Sequence, residues 1–275
     1  MTDFRKFLYS SSVTIGVGQP EVPFLVNRDL LCDRSEYFAK AFSGSFVESK
    51  VDTLTIVDIN PGIFRIFVAW LYGGKLQYIP EKDNGDMQSE FPGSKQIKED
   101  GDIWSTDPSA AKTWLWQTLI DLYIFGDRFN APLFCRKVID TLIDKGQEHR
   151  GYLPNHLEIK HAFANTAKGS PIRLFLVDLF AYRGISLKKE ETVTLPPEFM
   201  AAVLEIMSHR MPRRLCNGCY EKALERVDLD SDGEDVGPEV RSHPPYETDS
   251  CYYHEHESES EKAVCQKLRS KKRKR

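Results

Sequence analysis

The chain has 275 residues, 41% hydrophobic and 28% charged, with a net charge of −4, an ordinary composition for a soluble globular protein and long enough for one large domain or two small ones. No apolar run approaches the ~20 residues that cross a bilayer, and the opening MTDFRKFLYSSS lacks the apolar stretch of a signal peptide. Six scattered cysteines, mostly inside apolar runs, are not a disulfide framework, so an intracellular protein without a membrane partner is expected. The charge is unevenly spread. Asp228 to Glu261 carries twelve acidic residues against one arginine, and Lys262 to Arg275 carries eight basic residues and no acid. The body between is close to neutral, which gives no nucleic-acid footprint outside the tail.

Phe4, Phe7 and Leu8 stand at helical spacing in a short leader. Val13–Val17 (VTIGV) alternates and is rich in β-branched residues, predicting a strand; Gly18-Gln19-Pro20 is a turn; Phe24–Asn27 returns as the partner strand of a hairpin. From Leu30 the period changes. Leu30, Leu31 and Cys32, then Tyr37, Phe38, Ala41 and Phe42, recur at helical spacing, with Ser35 placed to cap the second helix and Gly44 to end it. Thr53–Ile59 alternates as a third strand. Asn60 and Pro61 then open a helix as N-cap and first residue, Phe64, Phe67, Val68 and Leu71 form its buried stripe with Trp70 on the border, and Gly73-Gly74 closes it.

Residues 76–112 are polar and aperiodic, an expected insertion or loop with Trp104 expected to pin it to the body. Helical spacing resumes from Trp114 to Lys145 through Leu115, Leu119, Leu122 and Tyr123, breaks at Asn130-Ala131-Pro132, and continues through Phe134, Val138, Ile139 and Leu142. Three further helices are expected in a helical extension over residues 150–212: one within Leu153–Ala167, one from Pro171 through Ile172, Phe175, Leu176 and Leu179, and one from Pro197 through Phe199, Val203, Leu204 and Met207. Residues 226–275 have the composition of a disordered acidic tail with a basic end.

Two blocks carry a family resemblance. Strand residues run into Arg28-x2-Leu31-x3-Ser35-x2-Phe38, and FVAWLYGGKL ends the helix after the third strand. Later, LIDLYIFGDRFNAPLFCRKVID forms a helical hairpin. This pattern resembles the BTB/POZ domain, in the form abundant in filamentous fungi. The resemblance implies an α+β fold over residues 11–146, with a small three-stranded sheet capped by helical hairpins and followed here by the helical extension. It also implies protein partners: a homodimer formed through the domain, and recruitment of cullin-type ubiquitin ligases. Arg28, Leu31, Ser35 and Phe38 match the motif. Asn27 stands where the family usually has histidine, and Ser11-Ser12 where many members have Ser-Asp, which removes the acid of the family's charged pocket. No recognisable Kelch, MATH or repeated zinc-finger module follows.

Candidate chemistry is sparse. There is no GxxxxGK[ST], GxSxG or HExxH, and no nucleophile–base–orienter set can be assigned, so a non-enzymatic protein is expected. Gly16-Val17-Gly18 is not a dinucleotide loop, since the third glycine falls at Glu21. Cys216-x2-Cys219 with Cys251-x2-His254 has the paired thiolate and imidazole spacing of a tetrahedral zinc site, with His256 as an alternative fourth ligand. Against it stand the long acidic separation and Cys265, which has no role in that set; otherwise no cofactor is expected. Asp228–Glu239 satisfies the written calcium-loop pattern, but Asp235 occupies its apolar position and Gly237-Pro238 would break the exit helix. Lys271, Lys272, Arg273, Lys274 and Arg275 form a terminal basic cluster of the nuclear-localisation type, with the cytoplasm as alternative location. Two functions follow: an interaction module and cullin adaptor, or a nuclear scaffold whose tail contacts chromatin proteins or nucleic acid.

Overall fold

The computed structural model describes residues 7, 10–43, 52–79, 95–97, 103–105, 107, 109–148, 153–183, 189–210, 249, 251–256 and 258–272. Strands β1 (Ser12–Val17) and β2 (Val22–Asn27) pair antiparallel, with Val13 opposite Val26 and Ile15 opposite Phe24. Gly18 supports the turn at a positive φ of 82°, and a Cβ there would lie 2.8 Å from Pro61 Cγ, so the position accepts only glycine. β3 (Thr53–Ile56) adds parallel to β1, giving the sheet order β2-β1-β3. It stops short of Ile59 because the chain turns at Val57–Asp58, leaving Val57 exposed. Alternation then sorts the faces: Val13, Ile15, Val17 and Val26 are fully buried, while Leu25 points outward and is 72% exposed.

Helices α1 (Arg28–Arg34) and α2 (Glu36–Ser43) follow without a loop. Asn27 caps α1, its side chain accepting from Leu30 N at 2.9 Å. Ser35 separates the two: its hydroxyl accepts from Phe38 N at 3.3 Å and donates to the Phe129 carbonyl at 2.5 Å. α3 (Pro61–Gly73) begins at Asn60, whose side chain accepts from Gly62 N at 2.7 Å, and ends at Gly74 in the left-handed region at φ 66°. Trp70, placed at the border of the stripe by periodicity, is buried.

The second hairpin is α4 (Trp116–Arg128) and α5 (Pro132–Glu148). Asn130 makes the turn at φ 46°, and Ala131 N donates to Gly126 O at 2.8 Å. Gly126 lets the two helices touch: a Cβ there would meet Cys135 Sγ at 2.7 Å and Phe134 Cδ1 at 3.0 Å. The two hairpins meet in a phenylalanine cluster. Phe38 stacks on Phe129 at 5.4 Å between ring centroids, Phe67 lies 5.0 Å from Phe125 and 5.1 Å from Phe134, and Trp70 lies edge-on to Phe134 at 5.0 Å.

Between α3 and α4 the chain departs from its expected loop character. Leu76 and Tyr78 are buried in the core, and Lys95–Ile97 (β4) pairs antiparallel with Ile103–Ser105 (β5) as a separate two-stranded sheet. Polar composition hid this, because the short Leu76–Ile79 cluster is outweighed by the charged and small polar residues from Glu81 onward. The side chain of Trp104 lies outside the described residues. Trp114 does anchor the returning chain, fully buried with its indole N–H donating to Asp107 O at 2.8 Å.

The extension contains α6 (His156–Ala164), α7 (Pro171–Arg183), α8 (Lys189–Thr194) and α9 (Pro197–Arg210). α7 is buried on nearly all sides, from Ile172 and Phe175 to Leu179 and Phe180. Arg173, only 8% exposed, ties the extension together. It donates to Thr166 Oγ1 at 3.0 Å, to the carbonyls of Phe163 and Thr166, and to Glu198 Oε1 at 2.8 Å. Phe199 and Val203 bury one face of α9, whereas Leu204, expected in that stripe, is 58% exposed.

The tail is not uniformly disordered, contrary to its composition. Cys251 and Tyr253 are buried, and α10 (Glu259–Lys272) is helical. The reason lies in specific anchors rather than aliphatic content. Tyr253 OH donates to Asp178 Oδ2 at 2.8 Å while its ring sits edge-on to Phe175, and Arg136 on α5 donates to Glu261 Oε1 and to the Glu255 carbonyl.

Two substitutions separate the two halves of this packing. Phe38→Ala should cost about 3–5 kcal/mol by opening the cluster from its centre, and Arg173→Leu about 2–3 kcal/mol by leaving two buried carbonyls without donors. Urea unfolding of the full chain followed by circular dichroism measures both.

Candidate functional site

Two surfaces carry the residues with chemistry. The first lies where the leader, β2 and α1 converge. Asn27 does more than cap: its Nδ2 donates to Phe7 O at 2.9 Å, and its backbone N–H donates to Tyr72 Oη at 2.9 Å. Asn27 therefore joins the leader, the edge strand and the end of α3. Arg28 beside it donates to the Phe42 carbonyl and to Asp52 Oδ1 at 3.1 Å. Asp52 thus supplies a carboxylate to Arg28 although Ser12 replaces the acid expected before the first strand. It adopts φ 51°, a left-handed position that aspartate tolerates, and its carbonyl accepts from Thr14 N at 2.9 Å. Sequence reasoning missed Asp52 because it lies 24 residues from Arg28, and nothing in either motif points to it. Of the other motif residues, Leu31 and Phe38 are fully buried and Ser35 bridges the two hairpins. Their role is to hold the scaffold.

On the rim of this surface, Leu25 projects from the edge strand β2, Arg65 covers the Phe24 ring at 5.4 Å, and Tyr37 and Tyr72 are each about half exposed. Arg128 forms a two-pronged pair with Asp58 at 2.6 and 3.1 Å. That pair holds the Asp58 carboxyl below its usual range.

The second surface lies at the opposite end of the chain. Cys251, His254, His256 and Cys265 each offer one ligand atom, and these atoms all lie within 4.8 Å of one another. The turn from Asp249 positions the first three: Cys251 N donates to Asp249 Oδ1 at 2.9 Å and His254 N to Cys251 O at 3.0 Å. Helix α10 delivers Cys265. Of the zinc set expected from spacing, Cys251 and His254 are brought together, while Cys216 and Cys219 lie outside the described residues. His256, the alternative ligand, joins the cluster, and so does Cys265, which had no role in that scheme. Cys216 and Cys219 filled the thiolate places of that scheme; α10 brings Cys265 to the cluster instead.

Burial also shifts titratable groups elsewhere among the described residues, lowering Lys145 to about 8. Burial pushes the thiols of Cys32 and Cys135 upward, away from the reactive thiolate. Asp121 is likewise raised by burial, against the opposing effect of His161 at 2.8 Å and Gln117 at 2.9 Å. Glu158 is raised by burial while closing the capping box of α6 with Asn155. Lys271 and Lys272 end α10; Arg273–Arg275 and the acidic Asp228–Glu239 stretch lie outside the described residues. No helix among the described residues is long and apolar enough to cross a membrane.

A three-stranded sheet whose edge strand runs directly into a capped helical hairpin, with a second hairpin closing the core, defines an α+β scaffold. Residues 3–88 match the family model of the BTB/POZ domain, and the N-terminal part of this chain is such a domain, a protein–protein interaction module of a non-enzymatic family. The match ends before α4 and α5, whose Phe125, Phe129 and Phe134 nevertheless complete the same core. No curated protein matches the chain at the significance required.

The Arg28 contacts predict an asymmetry. Arg28→Met should cost about 1–2 kcal/mol through the lost donor to the Phe42 carbonyl. Asp52→Gly should cost under about 1 kcal/mol, since the ion pair is half-exposed and glycine suits the positive φ. Chemical denaturation of the two variants measures the difference.

Proposed function

We propose that this protein is a homodimerising adaptor that uses its BTB/POZ domain to engage a cullin-type ubiquitin ligase and its helical extension to hold a second protein. The supporting observation is the BTB/POZ match over residues 3–88, together with an edge strand that keeps its outward Leu25 in solvent. Among the described residues no strand pairs with the outer edge of β2, and such an edge beside an exposed leucine favours association over the monomer. The Arg28–Asp52 pair keeps a charged group at the domain's entrance despite Ser12, so the adaptor reading does not require the missing acid.

Light scattering of the full chain at micromolar concentration should give twice the monomer mass, and Leu25→Asp should shift it to the monomer while retaining the folded spectrum. A wild-type chain that stays monomeric defeats the dimer. Immobilised full chain should capture a purified cullin N-terminal domain; a well-folded dimer that captures none defeats the adaptor role.

The basic cluster Lys271–Arg275 favours a second reading, a nuclear regulatory scaffold. A fluorescent fusion should accumulate in the nucleus and lose that location when Lys271–Arg275 are replaced by alanine. A cytoplasmic protein unaffected by the replacement rules this reading out.

A further inference from the structure

We propose that Cys251, His254, His256 and Cys265 form a structural zinc site that pins the turn of residues 251–256 to α10, with Asp140 of α5 behind His254. The proposal is independent of any cullin or dimer contact. The donor set, two thiolates and two imidazoles, is one that tetrahedral zinc takes. Zinc–sulfur bonds of about 2.3 Å and zinc–nitrogen bonds of about 2.0 Å give tetrahedral edges of about 3.3–3.8 Å. The four ligand atoms already lie within 4.8 Å, and His254 Nδ1 stands 3.3 Å from Cys265 Sγ.

Two further observations point to an ion. His256 has a side chain only 6% exposed, and both its ring nitrogens are buried without a hydrogen-bond partner among the described residues. Glu261 Oε1, at 3.8 Å from Nδ1, is too distant for a hydrogen bond. Two unsatisfied imidazole nitrogens are costly in an interior position, and a metal bond to one of them removes much of that cost. His254, 2% exposed, places its Nε2 2.7 Å from Asp140 Oδ1. That leaves Nδ1 facing the cluster. A carboxylate behind the distal nitrogen of a ligating histidine is the arrangement that fixes its tautomer and strengthens it as a ligand.

The groups Cys265, His254 and Asp140 also have the order of a thiol nucleophile, base and orienter. That arrangement leaves Cys251 and the unpartnered His256 without a role, whereas zinc uses all four donors and Asp140. The consequence is architectural. Cys265 lies midway along α10, so coordination fixes that helix against the turn of residues 251–256.

The test uses the full chain, equilibrated with zinc chloride and passed over a desalting column, with zinc measured by mass spectrometry. One zinc per chain is expected, retained by the Cys216→Ser/Cys219→Ser double variant and lost by Cys251→Ser/Cys265→Ser. Cobalt(II) in place of zinc should give the visible absorption of a tetrahedral two-sulfur, two-nitrogen site. Should the Cys251/Cys265 variant fail to fold, Asp140→Asn provides the second route: competition with a chromogenic chelator should show zinc held 10- to 100-fold more weakly. A folded wild-type chain that retains no zinc overturns the proposal. So does zinc that disappears with Cys216 and Cys219 but survives loss of Cys251 and Cys265, or metal-free protein in which iodoacetamide alkylates Cys265 selectively.

Discussion

The core of this domain rests on one constraint: a phenylalanine from the first hairpin must stack on one from the second. Phe38 lies face to face with Phe129, and Phe125, Phe134 and Phe67 surround that pair. Everything that sets the position of Phe38 therefore bears on whether the sheet is closed. Ser35 is the polar counterpart of the stack. Its hydroxyl satisfies Phe38 N at the start of α2 and reaches the carbonyl of Phe129, the partner ring's own residue. One short side chain thus caps a helix and fixes its register against the other hairpin. Neither a larger nor an apolar residue does both. The bond is buried, so its loss leaves an orphan carbonyl beside an aromatic stack with no water to replace it.

The polar residues at the entrance to α1 follow the same economy. Asn27 caps the helix with its oxygen and holds the leader with its nitrogen, while Arg28 reaches across to the end of α2 and to Asp52. The carboxylate that the sequence pattern leads one to expect at Ser12 is supplied instead by Asp52, just before β3. Because β3 runs parallel to β1, residue 52 arrives beside the first strand, as the bond from Thr14 N to Asp52 O shows. Topology places a carboxylate near Arg28 by a different route through the chain.

The elements written in strong period are legible in the amino-acid pattern itself. β1, β2, α3 and the α4–α5 hairpin fall close to their expected places because alternation, caps and glycine ends agree at each of them. What the pattern conceals shares a physical cause. Leu76 and Tyr78 are buried within a short cluster that the polar residues from Glu81 onward outweigh, and Leu204 is exposed where a helical stripe would bury it; in each case packing decides against periodicity. The charge-rich tail is the largest departure. Its anchoring residues are a tyrosine, two histidines and two cysteines between Cys251 and Cys265, too few aliphatics to register as a core-forming segment. The long-range partners Asp178, Asp140 and Arg136 are invisible at that distance. Composition weighs how much a segment can bury, and it is blind to how well a few polar groups are met.

That distinction bears on how the two ends of the chain cooperate. α5 contributes Phe134 to the aromatic core on one side and Arg136 and Asp140 to the C-terminal segment on another. α7 likewise buries Ile172, Leu176 and Leu179 in the core while offering Asp178 to Tyr253. The C-terminal segment therefore rests on helices already fixed by apolar packing, and its own few bonds need only choose an orientation. Arg136 illustrates the balance: its guanidinium is committed to Glu261 and the Glu255 carbonyl, yet its Nε is buried without a partner among the described residues. Interactions of this type specify position more than they stabilise. The apolar core carries the stability of both neighbours, and the polar contacts decide how the C-terminal segment is oriented on it.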